Sequence, residues 1–148
     1  MITPLLKLEE FLPYRLSVLS NQVSQGIACT YAERFGLSVT EWRVIAILGR
    51  FPAIPASQVV DHSAMDKVAI SRAVRRLLTA GLVLRGADNS DRRAKPLRLS
   101  DQGQALYAAI VPAALEYERR LLAALTLEER HTLNAILDKL DAISRPDP

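Results

Sequence analysis

Apolar residues recur at three- and four-residue steps along most of the chain, the spacing of helices that bury one face. Leu16, Leu19, Val23, Ile27, Tyr31 and Phe35 make one such stripe, within a segment of about 5–35. Pro13 suits the first turn of that helix, and Gly36 is its stop. Ser38-Val39-Thr40-Glu41 is a capping-box pattern that opens a second helix, about 40–50. Trp42, Ile45, Ala46 and Leu48 are its residues available for burial. A short third helix, about 56–61, follows the breaker run Phe51-Pro52-Ala53-Ile54-Pro55 and starts without a Ser, Thr, Asp or Asn cap. After the turn at His62-Ser63-Ala64-Met65, Asp66 caps a fourth helix of about 67–80, which Gly81 ends.

The period then changes. Leu82-Val83-Leu84-Arg85 and Pro96-Leu97-Arg98-Leu99 read as two short strands, joined by a long charged tip rich in turn residues. A lone hairpin is marginal in water, so this one must pack on the helices. Ser100 caps a fifth helix of about 101–125, in which Pro112 predicts a kink. Thr126-Leu127-Glu128-Glu129 is a second capping box, and Leu133, Ile136, Leu137 and Leu140 form the stripe of a last helix ending near 144. The fold class is therefore all-α with a small β-hairpin, in a single domain of 148 residues.

Composition narrows the function classes. Hydrophobic residues are 49% of the chain and charged residues 24%, which excludes intrinsic disorder. No apolar run reaches the ~18 residues of a membrane span, and the first residues have no secretory pattern. Cys29 is the single cysteine, so a reducing cytoplasm is the expected compartment, with Cys29 as a small buried apolar residue. The net charge of +3 is unevenly spread: residues 61–100 hold nine Lys/Arg against four Asp/Glu, whereas residues 101–148 hold five against eight. A basic centre between neutral and acidic arms is the footprint of a polyanion partner.

The fourth helix gives that footprint a shape. At about 100° per residue, Ile70, Val74, Leu77 and Leu78 share one face, and Val68, Ser71, Arg72, Arg75 and Arg76 share the other. A major groove admits an α-helix, and arginine pairs bidentately with guanine. Lys67 adds charge at the start, while Ser71 and Val68 are short enough for close approach and contact with a thymine methyl. Asp91-Arg92-Arg93-Ala94-Lys95 adds three cations at the hairpin tip, where arginine suits a narrow minor groove and Asp91 can orient a neighbouring arginine. Two short helices and a tight turn, the second helix basic, form the helix-turn-helix pattern.

The order of elements resembles the MarR (multiple antibiotic resistance regulator) family of winged helix-turn-helix proteins over nearly the whole chain. Asp91-x-Arg93 followed by Leu97-Arg98-Leu99-Ser100-x-x-Gly103 is similar to the family's wing signature, and Ser71-Arg72-x-Val74-x-x-Leu77-x-x-x-Gly81-Leu82-Val83 to the end of its recognition helix. The resemblance implies a transcription regulator, with Ser71, Arg72 and Arg75 in the major groove and Arg93 in the minor groove. It also implies a homodimer through helices at 5–36 and 101–145, flanking a DNA-binding lobe at 38–100. Two copies on a two-fold axis would read a pseudo-palindrome in double-stranded DNA. Many members of the family bind small aromatic acids or phenols, for which Tyr14, Arg15 and Trp42 are candidate lining residues. Redox-sensing members use a cysteine near the start of the first helix; Cys29 lies near its end.

Enzymatic and cofactor-dependent readings find little support. No phosphate-binding glycine loop and no H-E-x-x-H pattern is present. His62 and His131 have no neighbouring metal-ligand set, and Glu9-Glu10 and Glu128-Glu129 sit at helix starts, where carboxylates favour the dipole. Two alternatives remain: a helical protein–protein interaction module, such as an anti-regulator of the same shape without DNA binding, and a small helical enzyme.

Overall fold

The computed structural model describes residues 3–86 and 95–146. The chain divides into two compact units, Met1–Ala114 and Leu115–Pro148. A 3-10 turn at Leu8–Glu10 precedes helix α1, Leu12–Phe35, with proline in its first turn and Gly36 closing it in the left-handed conformation, φ 67. Helices α2 (Val39–Arg50), α3 (Ala56–Ser63) and α4 (Lys67–Thr79) follow, then strands β1 (Val83–Arg85) and β2 (Leu97–Leu99), and helices α5 (Asp101–Leu122) and α6 (Leu127–Ser144). The all-α architecture with one hairpin agrees with the sequence pattern.

The caps account for the boundaries. Ser38 Oγ accepts from the Glu41 amide, Asp66 from Ala69, and Thr126 forms a reciprocal box with Glu129. Helix α3 starts on Pro55 without a side-chain cap, as its sequence suggests, and runs to Ser63, beyond the expected end. Helix α5 continues through Pro112 to Leu122, short of the expected end at 125.

The core of the first unit sits under α4. Ile70, Ala73, Val74 and Leu77 bury one face of α4 against Val44, Ile45 and Leu48 of α2, Val59 of α3, and Val83, Leu97 and Leu99 of the hairpin. The strands pair antiparallel, Val83 opposite Leu99 and Arg85 opposite Leu97. Ile54 adds a bridge to Leu97, exchanging backbone hydrogen bonds of 3.3 and 2.8 Å, so the segment before α3 becomes a third, minimal partner of the hairpin. The stripe of α1 is buried only near its end: Tyr31 is 1% exposed, whereas Leu16 and Leu19 are 43% and 56% exposed.

Cys29 corrects the expectation of burial: it is exposed. It lies about 200° around the helix from both Ile27 and Tyr31, on the back of the stripe, and Ala28 takes the buried place beside it.

The second unit holds the end of α5 and all of α6. None of its described residues is buried, and Leu127, Ile136, Leu137 and Ile143 are exposed apolar side chains.

Candidate nucleic-acid interface

The first helix of the pair, α3, ends at a turn held by Ser63. This serine is 2% exposed, and its hydroxyl donates to the Val60 carbonyl (2.6 Å) and accepts from the Met65 amide (3.1 Å). Ala64 takes the left-handed conformation, φ 51, which reverses the chain. Arg43 of α2 donates to the Ser63 carbonyl at 3.2 Å, tying the turn to the core. From this turn α4 emerges with Asp66 accepting from Ala69 at 3.0 Å.

Helix α4 keeps its buried face on α2 and turns Lys67, Val68, Ser71, Arg72, Arg75 and Arg76 to solvent. Val68 is 54% exposed, a large apolar side chain left beside cations. The six residues form one surface, but they differ in state. Arg76 Nε lies 3.2 Å from Glu41 Oε1, whose carboxylate also accepts from the Ser38 hydroxyl at 3.0 Å. Lys67, Arg72 and Arg75 have no ion-pair partner among the described residues. No described residue therefore compensates their charge, on a surface that a helix can lay into a groove.

Ser71, Arg75 and Arg85 line a cleft of about 170 Å³ whose floor includes Val60, Ile70 and Val74. Arg85 was not among the sequence candidates. Strand alternation carries the signal for it: two residues after buried Val83, Arg85 lies on the strand face turned toward α4. Lys95 is half-buried at the foot of β2. Asp91, Arg92 and Arg93 lie outside the described residues.

The three candidate ligand residues do not come together in one cavity. Tyr14 and Arg15 line a groove of about 390 Å³ along the outer face of α1, with Leu12, Leu16 and Leu19. Trp42 lines a smaller cavity of about 140 Å³ with Tyr31, Arg43, Ser24 and Ile27. The Trp42 ring is 5.5 Å from that of Tyr31 and stacks at 6.2 Å on Tyr107 of α5. The Tyr31 hydroxyl is buried without a hydrogen-bond partner among the described residues. Burial pushes its pKa above 10.0, and the Arg43 charge partly opposes that rise. Tyr31, Arg43 and Ser24 had no distinguishing signal in the sequence, because a tyrosine in a helical stripe reads as core.

Among the described residues no His, Cys, Asp and Glu group could hold a metal, and no helix is long and apolar enough to cross a membrane.

A basic helix offered outward by a helix-turn-helix, with a hairpin packed at its end, defines a winged helix-turn-helix protein. The model of the MarR family matches residues 35–94, from the end of α1 to the hairpin. The HTH-type transcriptional repressor Rv2887 of Mycobacterium tuberculosis is 28% identical over 131 residues, covering 88% of this chain and 91% of its own. The HTH-type transcriptional regulator PecS of Dickeya dadantii is 31% identical over 111 residues, 73% of this chain and 67% of its own. The MarR/EmrR family regulator from Acinetobacter sp. ADP1 superposes with a TM-score of 0.84 at 26% identity, over 93% of this chain and 96% of that one. Rv2887 in complex with salicylic acid superposes with a TM-score of 0.70 at 25% identity, over 88% and 96%. The chain belongs to the MarR family of transcriptional regulators.

Proposed function

We propose that the protein is a homodimeric repressor that binds a pseudo-palindromic operator and is released by a small aromatic or phenolic ligand. The observation that carries DNA binding is the outer face of α4, where Lys67, Val68, Ser71, Arg72 and Arg75 stand exposed and the cations lack acidic partners among the described residues. Ser71, Arg72 and Arg75 read bases in the major groove, with Val68 against a thymine methyl. Arg76, already paired with Glu41, serves as a phosphate contact at most. Arg93 extends the contact through the wing by its match to the family's D-x-R pattern, with Asp91 orienting an arginine, and Arg92 and Lys95 add charge beside it.

The second copy follows from surface chemistry. Helix α6 leaves Ile136, Leu137 and Ile143 at 47%, 47% and 79% exposure, and α1 leaves Leu12 and Leu19 at 49% and 56%. Apolar faces of this extent mark association, and a two-fold dimer matches half-sites about 10 bp apart. The ligand reading rests on the Trp42 cavity and on the salicylic acid complex of Rv2887. A ligand releases DNA only through its preference for a dimer whose recognition helices are wrongly spaced.

The test is selection of genomic fragments by the purified protein. Enrichment of fragments sharing an inverted repeat is expected. Recovery of no sequence above background would overturn the reading in favour of an interaction module without DNA binding.

A further inference from the structure

The Ser/Thr-x-x-Glu pattern opens both α2 and α6, yet its two glutamates are used differently. In α6 Thr126 Oγ1 accepts from the Glu129 amide at 3.1 Å and Glu129 Oε2 accepts from the Thr126 amide at 2.8 Å, the complete reciprocal box. In α2 only the first half forms: Ser38 Oγ accepts from the Glu41 amide at 3.1 Å. Among the described residues the Ser38 amide does not donate to the Glu41 carboxylate. That carboxylate is turned toward α4 instead. Its Oε1 accepts from Arg76 Nε at 3.2 Å, and the Ser38 hydroxyl donates to the same oxygen at 3.0 Å and fixes it there.

The pair is lopsided. The Glu41 side chain is 16% exposed and that of Arg76 55%. The acid is largely covered and held at a helix start, where the backbone dipoles favour negative charge, while the guanidinium stays within reach of solvent on the outer side of α4. Such a pair contributes little to folding, but its effect on a duplex does not depend on its strength. A phosphate that approaches Arg76 also meets the Glu41 charge, well inside the screening length of about 10 Å in ~0.1 M salt. Arg76 and Glu41 together bring no net charge, so a phosphate gains little by giving up its counterion there. Lys67, Arg72 and Arg75 on the same face have no such acid among the described residues.

We propose that Glu41 makes an autoinhibitory contact: by occupying Arg76 it keeps one cation of the α4 surface from DNA phosphate, and so holds the affinity for a duplex below what the basic helix would otherwise reach. The contact lowers affinity for specific and scrambled duplexes alike, because a phosphate carries no sequence information. Base reading by Ser71, Arg72 and Arg75 is left untouched. This inference rests on the DNA-binding reading and deepens it, by assigning to α2 a residue that opposes the contact α4 makes.

The test measures the affinity of the whole chain for a selected duplex and for its scrambled counterpart across a salt series. Glu41→Gln removes the charge and keeps a residue suited to the third position of the pattern. It should bind both duplexes several-fold more tightly at about 0.1 M salt, with a salt slope steeper by about 0.9, the value for one further phosphate. The same change made in an Arg76→Ala background should give less than half that gain, since the freed cation is then absent. A Glu41 that merely ties α2 to α4 would leave the slope unmoved. Unchanged or weaker binding of Glu41→Gln at an unmoved slope would therefore overturn the proposal, and so would an equal gain in the Arg76→Ala background. Should Glu41→Gln not fold, Arg76→Ala decides alone. Its salt slope should fall by less than half the loss seen in Lys67→Ala; an equal loss would place Arg76 on a phosphate already and overturn the proposal. Wild-type protein that binds neither duplex at any salt would overturn the DNA-binding reading and the proposal with it, whereas wild-type binding without the gain in Glu41→Gln overturns the proposal alone.

Discussion

Arg72 and Arg76 sit one turn apart on α4, yet they bring different charge to a duplex. Arg72 has no ion-pair partner among the described residues, whereas Arg76 is 3.2 Å from Glu41. A charge already paired gains less from a phosphate, because the pair must first be given up. Arg72→Ala should therefore cost about 1–3 kcal/mol of operator affinity and relax preference at one base position. Arg76→Ala should cost less, with little effect on folding, as exposed pairs contribute about 0–1 kcal/mol. Gel-shift titration of both variants on specific and scrambled duplexes checks this; equal losses on both duplexes for Arg72→Ala would reduce it to a phosphate contact. Glu116 offers a second residue-scale reading. Hydrogen bonds from Arg119 (2.8 and 2.8 Å) and from Arg120 (2.9 Å) hold its carboxyl pKa down to about 2. The stabilisation is present above the ordinary value near 4.5 and is lost as pH falls toward about 2. A carboxyl titration followed by NMR should place the Glu116 midpoint near 2, and Arg119→Ala should raise it toward 4.5; an unmoved midpoint would contradict the assignment.

At the scale of elements, the joint between the hairpin and α5 decides how firmly the wing is held. Ser100 is 8% exposed; its hydroxyl donates to the Gly81 carbonyl at 2.6 Å and accepts from the Gly103 amide at 3.0 Å. One side chain thus caps α5 and fastens the residue that ends the α4 segment. Gly103 lies so close to Leu82 that a Cβ there would collide with the Leu82 carbonyl oxygen. Ser100→Ala should lower stability by about 1–2 kcal/mol, seen as a reduced urea midpoint; an unchanged midpoint would show that the joint is held elsewhere. The elements themselves were legible because their signals are local. Asp66, Ser38 and Thr126 cap helices from three residues away, and the spacing of Ile70, Val74 and Leu77 repeats within one helix. The Ile54–Leu97 bridge, the Arg76–Glu41 pair and the Arg43–Ser63 bond were not legible. Each joins segments that only tertiary packing brings together, and Ile54 stands between prolines that read as a loop. The outer face of α4 was legible for the same local reason, while the cavity around Tyr31 was not. Its walls come from two helices, and its residues have the spacing of an ordinary core. Cys29 could have been placed correctly, since angular position on α1 alone puts it behind the stripe.

At the scale of the whole molecule, exposed leucines and basic charge call for two different partners. The apolar side chains of α1 and α6 suit a second copy. Sedimentation equilibrium should give twice the chain mass, and Leu137→Glu in α6 should shift the population toward monomer; a monomeric wild-type protein would remove the two-fold reading of an operator. The cations of α4 suit a duplex, and neutralised phosphates release counterions. The most direct measurement of the central claim is therefore affinity for a selected duplex across a salt series. The logarithm of the binding constant should fall linearly with the logarithm of salt concentration, by about 0.9 for each phosphate neutralised, with a shallower slope when Lys67 is changed to Ala. Affinity that stays flat across the series would contradict the account.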